Sequence, residues 1–171
     1  MTPYVALLRA VNVGGTGKLA MADLKKLCHG AGFGQVQTYI ASGNVVFESE
    51  RDSPAVKAAL EAHLFAFAGK PIGVLVRTGT EMAAVLKANP FPDAAPNRTV
   101  TIFLDESPPA DALDHATGVN GEEMRLGTRE IYVHYRSGMA NSKLRIPAAS
   151  KGTARNLNTV AKLAQMASKQ G

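Results

Sequence analysis

The sequence lacks the features that mark secreted and membrane-spanning proteins. It has one cysteine, Cys28, so no disulfide can form within the chain. No apolar run approaches the ~20 residues that a transmembrane helix needs. The apolar stretch at the start is broken by Arg9 and Asn12, and it has neither the charged first region nor the cleavage-type ending of a signal peptide. We therefore expect a cytoplasmic protein.

Acidic residues are missing from the end of the chain, because none follows Glu130. Residues 120–171 contain nine Lys and Arg against three Asp and Glu, whereas residues 1–119 contain ten against eleven. This uneven distribution predicts an anionic partner for the C-terminal third, either a phosphate-containing small molecule or a nucleic acid. The alternative is a solvated basic face that keeps the protein soluble.

The 171 residues are enough for one domain or for two small subdomains. With 46% hydrophobic and 19% charged residues, the composition is that of a globular protein. In the first half, the hydrophobic pattern predicts a strand at 4–11, a helix at 20–32, and strands at 35–41 and 44–48. It then predicts a helix from Ser53-Pro54 onward and a strand at 72–77. This order is typical of a ferredoxin-like unit, which doubles a split βαβ motif.

The second half predicts a looser version of the same order. Its elements are a helix at 80–88, a strand at 98–104 and a helix opened by Pro108-Pro109. A hairpin of strands at 122–127 and 130–136 follows, and a last amphipathic helix spans 155–168. We therefore predict an α+β fold of two ferredoxin-like (βαββαβ-type) subdomains, 1–79 and 80–171, of which the second is irregular. No sequence repeat relates the two halves.

The split βαβ topology is expected to bring two polar loops together. The end of the first strand, the start of the first helix and the turn between the second and third strands lie at one edge of such a sheet. The candidate ligand-binding residues at this edge are Arg9, Asn12, Gly14, Gly15, Lys18, Ser42, Gly43 and Asn44. Glycines let a ligand approach the backbone, while helix N–H groups and cations favour an anion. The alternative is purely structural, since Asn and Gly are common turn residues.

Motifs for cofactors, metals and catalysis are incomplete. Gly15-x-Gly17-x-x-Ala20 is followed by a hairpin and by no acidic residue for a ribose, unlike a dinucleotide site. Gly17-Lys18 lacks the first glycine and the Ser or Thr of a phosphate-binding loop. The four histidines are scattered, and Cys28 lies on the apolar stripe of its helix as a core thiol. We expect no cofactor and no metal, and whether the protein is an enzyme stays open.

The basic third contains a strand with an alternating pattern. Tyr132, His134 and Arg136 are expected on one face of the strand at 130–136. Together with further cations this face would bind nucleic-acid phosphate and stack bases, the cations being Arg125, Arg129, Lys143, Arg145, Lys151 and Arg155. The alternative is a half-exposed strand with ordinary solvent-facing residues.

Three segments carry a resemblance to a known family. Leu8–Gly15 (LRAVNVGG), Tyr39–Phe47 (YIASGNVVF) and Thr153–Val160 (TARNLNTV) resemble signatures of the domain of unknown function 1697 family. The resemblance implies a mostly bacterial family with two ferredoxin-like subdomains. It implies no established activity, so no catalytic residue is carried over. The chain departs from the usual signatures at Ala10, Val11 and Leu157.

The last of these segments adds Arg155, Asn156 and Asn158 to the candidate residues. They stand at the start of the last predicted helix. They are expected either to cap that helix or to line the same groove as Asn12 and Asn44.

These features favour a binding module for an anionic ligand, held at the Asn12, Gly14 and Gly15 loop and at the Ser42 and Asn44 turn. Two alternatives are an enzyme that acts on a phosphorylated substrate and a protein-interaction module without a small-molecule site. A fold of this kind does not decide among the three.

Overall fold

The computed structural model describes residues 1–9, 19–40 and 43–169. These residues form two four-stranded antiparallel sheets and four α-helices, which confirms the α+β class. The chain divides into two compact units. The first comprises Met1–Ala83 together with the chain from Leu163 onward, and the second comprises Ala84–Lys162. The first unit therefore takes in the predicted subdomain 1–79 and adds residues of the last helix.

The first unit contains the first sheet with two helices. Its elements are β1 (Thr2–Leu8), α1 (Met21–Gly30), β2 (Gly34–Tyr39), β3 (Asn44–Ser49), α2 (Ser53–Ala68) and β4 (Val74–Thr78). The strand order is β2-β3-β1-β4, and every neighbouring pair is antiparallel. Because β3 lies between β1 and β2, those two strands point the same way, and α1 must run back along the sheet to connect them.

One face of this sheet forms a core with α1 and α2. Alternate residues of β1 and β3, such as Tyr4 and Phe47, are buried against the predicted apolar stripes of the helices. Leu60 and Leu64 of α2 are fully buried there, which contributes roughly 1.5–3 kcal/mol for each side chain. The Phe47 ring stacks on Phe33 with centroids 4.2 Å apart.

Helix α2 begins at Ser53, as predicted, and Asp52 caps it. The Asp52 side chain accepts a hydrogen bond of 3.0 Å from the Ala55 N–H. Pro54 then stands in the first turn, where its missing N–H costs nothing.

The opposite face of the first sheet is buried as well. Val5, Leu7 and Leu75 are at most 1% exposed on this face. Burial on both faces explains why β1 and β3 have nearly continuous apolar runs and not an alternating pattern. Two polar side chains, Asn44 and Arg77, lie among these apolar residues and are also buried.

The second unit contains the second sheet. The remaining elements of the chain are α3 (Gly79–Lys87), β5 (Thr99–Phe103), β6 (Glu123–Leu126), β7 (Glu130–His134), β8 (Thr153–Asn156) and α4 (Leu157–Ser168). Residues 79–83 of α3 and 163–168 of α4 are assigned to the first unit. The strand order is β6-β7-β5-β8, again antiparallel throughout. The predicted helix after Pro108-Pro109 is wrong, since only a short 3-10 helix forms at Ala112–His115. A residue that precedes proline is pushed out of the helical region, and too few apolar residues follow to build a stripe.

The two sheets repeat one strand order, because β5 to β8 take the places of β1 to β4. Both sheets also contain an equivalent backbone hydrogen bond. The Leu8 N–H donates to the Gly43 carbonyl in the first sheet, and the Leu104 N–H donates to the Arg129 carbonyl in the second, both at 2.9 Å. In each sheet this bond ties the end of the first strand to the turn of the hairpin.

Buried arginines occupy equivalent places in the two sheets. Arg77 pairs with Val5 of β1, and Arg155 pairs with Thr101 of β5. In both cases Nη1 donates to the carbonyl of the preceding residue, at 3.0 and 2.9 Å. The halves therefore share a strand order and two equivalent hydrogen-bonding details, although no sequence repeat relates them.

Candidate functional site

The flanks of the two predicted loops meet at one edge of the first sheet. The bond from Leu8 to Gly43 joins the end of β1 to the turn between β2 and β3. Gly43 has a φ of 83°, a conformation that favours glycine. Five of the candidate residues lie outside the described residues, namely Asn12, Gly14, Gly15, Lys18 and Ser42.

Arg9 extends β1 at this edge. Its N–H donates to the Gly73 carbonyl at 2.9 Å. Its aliphatic part lies over Gly73, since a Cβ built on that glycine would be 3.0 Å from the Arg9 Cδ. The bare glycine therefore leaves room for a half-buried arginine, which brings a permanent positive charge to the sheet edge.

Helix α1 begins at the same edge, because it runs back from the end of β1. Its N-cap position is Ala20, and none of the described side chains caps the helix. The N–H groups of Met21 and Ala22 are among those that an α-helix leaves without an intrahelical partner. Asp23 supplies a carboxylate in the first turn, which complements the positive end of the helix dipole.

Asn44 has a structural task. It is fully buried, and its Nδ2 donates to the Tyr39 carbonyl at 3.0 Å. Because Tyr39 ends β2 and Asn44 begins β3, this bond closes the turn that carries Gly43. Its side chain supports the edge and is not exposed there.

The candidates at the start of the last helix belong to the second unit. Arg155 is buried, and its Nη1 donates to the Thr153 Oγ1 at 2.8 Å. Burial lowers the pKa of this guanidinium to about 10. Asn156 accepts a bond of 2.9 Å from the Thr159 N–H, which is the capping role that its position suggests. Asn158 is exposed.

The proposed stacking strand is largely buried. Tyr132 donates its hydroxyl to the Val85 carbonyl at 2.9 Å, and its pKa is raised to about 12 by burial and by Glu130. This ring is not available to a base. His134 lies against the ring of Phe91, with centroids 5.7 Å apart. Arg136 is exposed and pairs with Glu123 at 2.9 Å.

A cavity of about 330 Å³ lies in the second unit, and it is lined in part by Arg136 and Lys143, two cations of the predicted nucleic-acid face. It is bounded by the segment before β6 and the segment after β7. The lining residues are Gly118, Val119, Asn120, Glu122, Tyr135, Arg136, Ser137, Gly138, Asn141, Ser142 and Lys143.

Hydrogen bonds join the two walls of this cavity. Thr117 and Arg145 exchange two backbone bonds of 2.9 Å below it. Glu122 accepts a bond of 2.6 Å from the Ser142 hydroxyl and another from the Asn120 N–H. These bonds, the Ser142 hydroxyl first, hold the pKa of Glu122 below its ordinary value, so the carboxylate stays ionised.

Residues 1–132 match the family described as "Protein of unknown function (DUF1697)". The chain belongs to this family. The match confirms the predicted family and covers the first two of the three signature segments, and the family's description assigns no function.

A solved structure extends the likeness to nearly the whole chain. The conserved bacterial protein SP0830 from Streptococcus pneumoniae is 26% identical, and the alignment covers 97% of this chain and 98% of that one with a TM-score of 0.77. No curated protein matches the chain. The function is therefore unknown.

The described part of the chain meets the requirements of neither a metal site nor a membrane span. No three or more of its His, Cys, Asp and Glu side chains gather as metal ligands would. None of its helices is long and apolar enough to cross a membrane.

A sequence signal for the cavity exists in retrospect. Two polar loops rich in Gly, Asn and Ser, 118–122 and 137–142, flank the predicted hairpin. The outer ends of a hairpin are neighbours, here through the pairing of Glu123 with His134. Loops that leave those ends must therefore lie side by side.

Proposed function

We propose that the protein is a binding module for a phosphate-containing small molecule, held at the edge of the first sheet. The observation that carries this proposal is the first turn of α1, which no side chain among the described residues caps and which begins at the same edge as Arg9 and Gly43. N–H groups, the positive end of a helix dipole and a guanidinium all favour a phosphate.

The residues outside the described ranges complete the proposed site. Asn12, Gly14, Gly15 and Lys18 lie between β1 and α1, and Ser42 precedes Gly43. Glycines would let the phosphate approach the backbone, and Lys18 would add a second cation. Charge at a helix N-terminus contributes only ~0.3–1 kcal/mol in an exposed site, so several of these groups must act together.

We also infer that both units are ferredoxin-like, with the second irregular. The support is the antiparallel order β2-β3-β1-β4 with α1 and α2 as connections, and the same strand order in the second sheet. The second unit is irregular because 3-10 helices stand in the places of α1 and α2.

The test is an isothermal titration of the full chain with inorganic pyrophosphate. Arg9→Gln should weaken binding about tenfold, which corresponds to ~1.4 kcal/mol. Asp23→Asn should strengthen it about threefold, because a carboxylate at a helix N-terminus is worth ~0.3–1 kcal/mol and competes with the ligand. Lys25→Gln is the matched control, since Lys25 is exposed on α1 beyond its first turn.

The Lys25 variant removes the same charge as the Arg9 variant. Equal losses in the two variants would mean that net charge, and not the sheet edge, binds the anion. Unchanged affinity in the Arg9 variant would overturn the proposed site.

Nucleic acid bound through residues 120–171 is a second candidate. It is favoured by the exposure of Arg125, Lys143, Arg145 and Lys151, and weakened by the burial of Tyr132. Affinity for a single-stranded oligonucleotide should then fall steeply between low and moderate salt. Absence of binding at low salt would remove this candidate.

A further inference from the structure

The cavity of the second unit has polar groups that the protein itself does not use. Tyr135, Ser137, Asn141 and Lys143 line it. None of their side chains hydrogen-bonds to another residue in the part of the chain that the structure describes. Tyr135 is half-buried, and burial, together with the charge of Glu122, raises the pKa of its phenol. A half-buried hydroxyl without a protein partner is normally satisfied by water or by a ligand.

The charges around the cavity leave one cation without a counter-ion. Arg136 is paired, because its Nε and Nη2 lie 3.1 and 2.9 Å from one oxygen of Glu123. Glu122 accepts from Ser142 of the opposite wall with one carboxylate oxygen and from Asn120 of its own loop with the other. Lys143 forms no salt bridge within the described ranges and is exposed at the rim. An anionic group of a ligand beside Lys143 would therefore neutralise the positive charge of this lysine.

The size of the cavity limits its occupant. A volume of about 330 Å³ is near the lower end of small-molecule pockets, which span ~300–1,000 Å³. It equals the space of about eleven water molecules at ~30 Å³ each. A compact molecule is the occupant that fits this volume.

The walls are held in place before any ligand arrives. The two bonds between Thr117 and Arg145 and the bond between Glu122 and Ser142 connect the loops on either side. A site that is formed in advance loses little free energy to the ordering of its own loops on binding. The polar side chains that line the cavity are thus held on loops of fixed position.

We propose that this cavity is a separate binding site for a small hydroxylated organic anion, a phosphate monoester or a carboxylate. Lys143 pairs with the anionic group. Tyr135 and Asn141 hydrogen-bond to hydroxyl groups of the same molecule, and the ionised Glu122 turns the anionic group away from its own end of the cavity. The site is independent of the proposed site in the first unit, because all its residues lie in the second.

The test is a titration of the full chain with glycerol 3-phosphate, glycerate and glycerol. Because the chain has no tryptophan, the emission of its four tyrosines is not masked by indole. The difference between the native protein and Tyr135→Phe isolates the Tyr135 signal, and amide NMR shifts locate the site. At least one of the two anions should bind, and neutral glycerol should bind at least tenfold more weakly. Binding of both anions assigns the site to anions in general, and binding of one alone assigns it to that charged group.

Variants separate the roles of the residues. Lys143→Gln should weaken anion binding at least tenfold, and Tyr135→Phe about threefold to fivefold. Lys151→Gln is the matched control, since this lysine is exposed in the same unit and does not line the cavity. Amides of residues 118–122 and 135–143 should shift, while those of Met21 and Gly43 report on the other site.

Three results would overturn the proposal. They are equal binding of glycerol and glycerol 3-phosphate, equal losses in the Lys143 and Lys151 variants, and shifts confined to Met21 and Gly43. The last result would leave the proposed function standing while removing the cavity site. Amide shifts at residues 118–143 without any at Met21 and Gly43 would leave the cavity site standing and remove the proposed function.

Discussion

Gly118 and Gly121 give a matched pair of substitutions that tests whether the cavity wall is rigid. Both glycines have positive φ, 70° and 88°, in the same loop. They differ in the space around them. A Cβ on Gly118 would lie 2.1 Å from the Lys143 carbonyl oxygen, whereas a Cβ on Gly121 would meet nothing within 4 Å.

The expected losses of stability differ accordingly. Alanine at either position adopts the left-handed region at a cost of about 1–2 kcal/mol. In Gly118→Ala the Lys143 backbone must also move, which breaks the adjacent pair of bonds between Thr117 and Arg145. Those two bonds are worth about 1 kcal/mol each. We expect a free energy of unfolding lower by about 3–4 kcal/mol for Gly118→Ala, and by about 1–2 kcal/mol for Gly121→Ala.

Urea unfolding followed by circular dichroism measures both values, and amide hydrogen exchange at Thr117 and Arg145 shows whether the bridge has opened. The effect of alanine on the unfolded chain is the same in both variants and cancels in the difference. Equal destabilisation, with an intact bridge in Gly118→Ala, would refute the rigid wall.

Three further outcomes follow from buried or bonded side chains. Cys28, whose thiol pKa is raised by burial to about 12, should resist alkylation near pH 8, where about one thiol in ten thousand is ionised, and should react rapidly once urea unfolds the chain. Glu122 has a lowered pKa, so its carboxylate stabilises the fold above its ordinary pKa of 4.5, and this contribution is lost as pH falls through the folded-state pKa. Glu122→Gln should therefore be less stable than the native protein near pH 7 in urea unfolding, and the difference should shrink as the pH falls below 4.5. Asn44→Ala leaves the Tyr39 carbonyl without its bond and should lower the free energy of unfolding by about 1–3 kcal/mol.

Much of the fold could be predicted because periodicity is a local property of the sequence. The apolar run of β1 and the stripe of Val56, Leu60 and Leu64 on α2 indicate their elements directly. β8 could not be predicted in the same way. It has only four residues, Thr153–Asn156, and it is a strand because it pairs with β5, a partner about fifty residues earlier in the chain.

Only the part of the candidate site that follows from the strand topology could be predicted. The neighbourhood of Arg9 and Gly43 follows from the split βαβ order alone. The burial of Tyr132 and Arg155 does not, because alternation along a strand identifies two faces without saying that both are covered. The hairpin predicts that the two loops are neighbours, but the bond of Ser142 to Glu122 joins residues twenty positions apart, and no local pattern encodes that contact.

The most direct test of the central claim is an amide NMR titration of the full chain with inorganic pyrophosphate. The proposed function predicts that the signals of Arg9, Met21, Ala22 and Gly43 shift together and saturate along one binding curve, and that these shifts disappear in Arg9→Gln. Shifts spread without saturation over the exposed lysines and arginines, with those four signals unmoved, would contradict it.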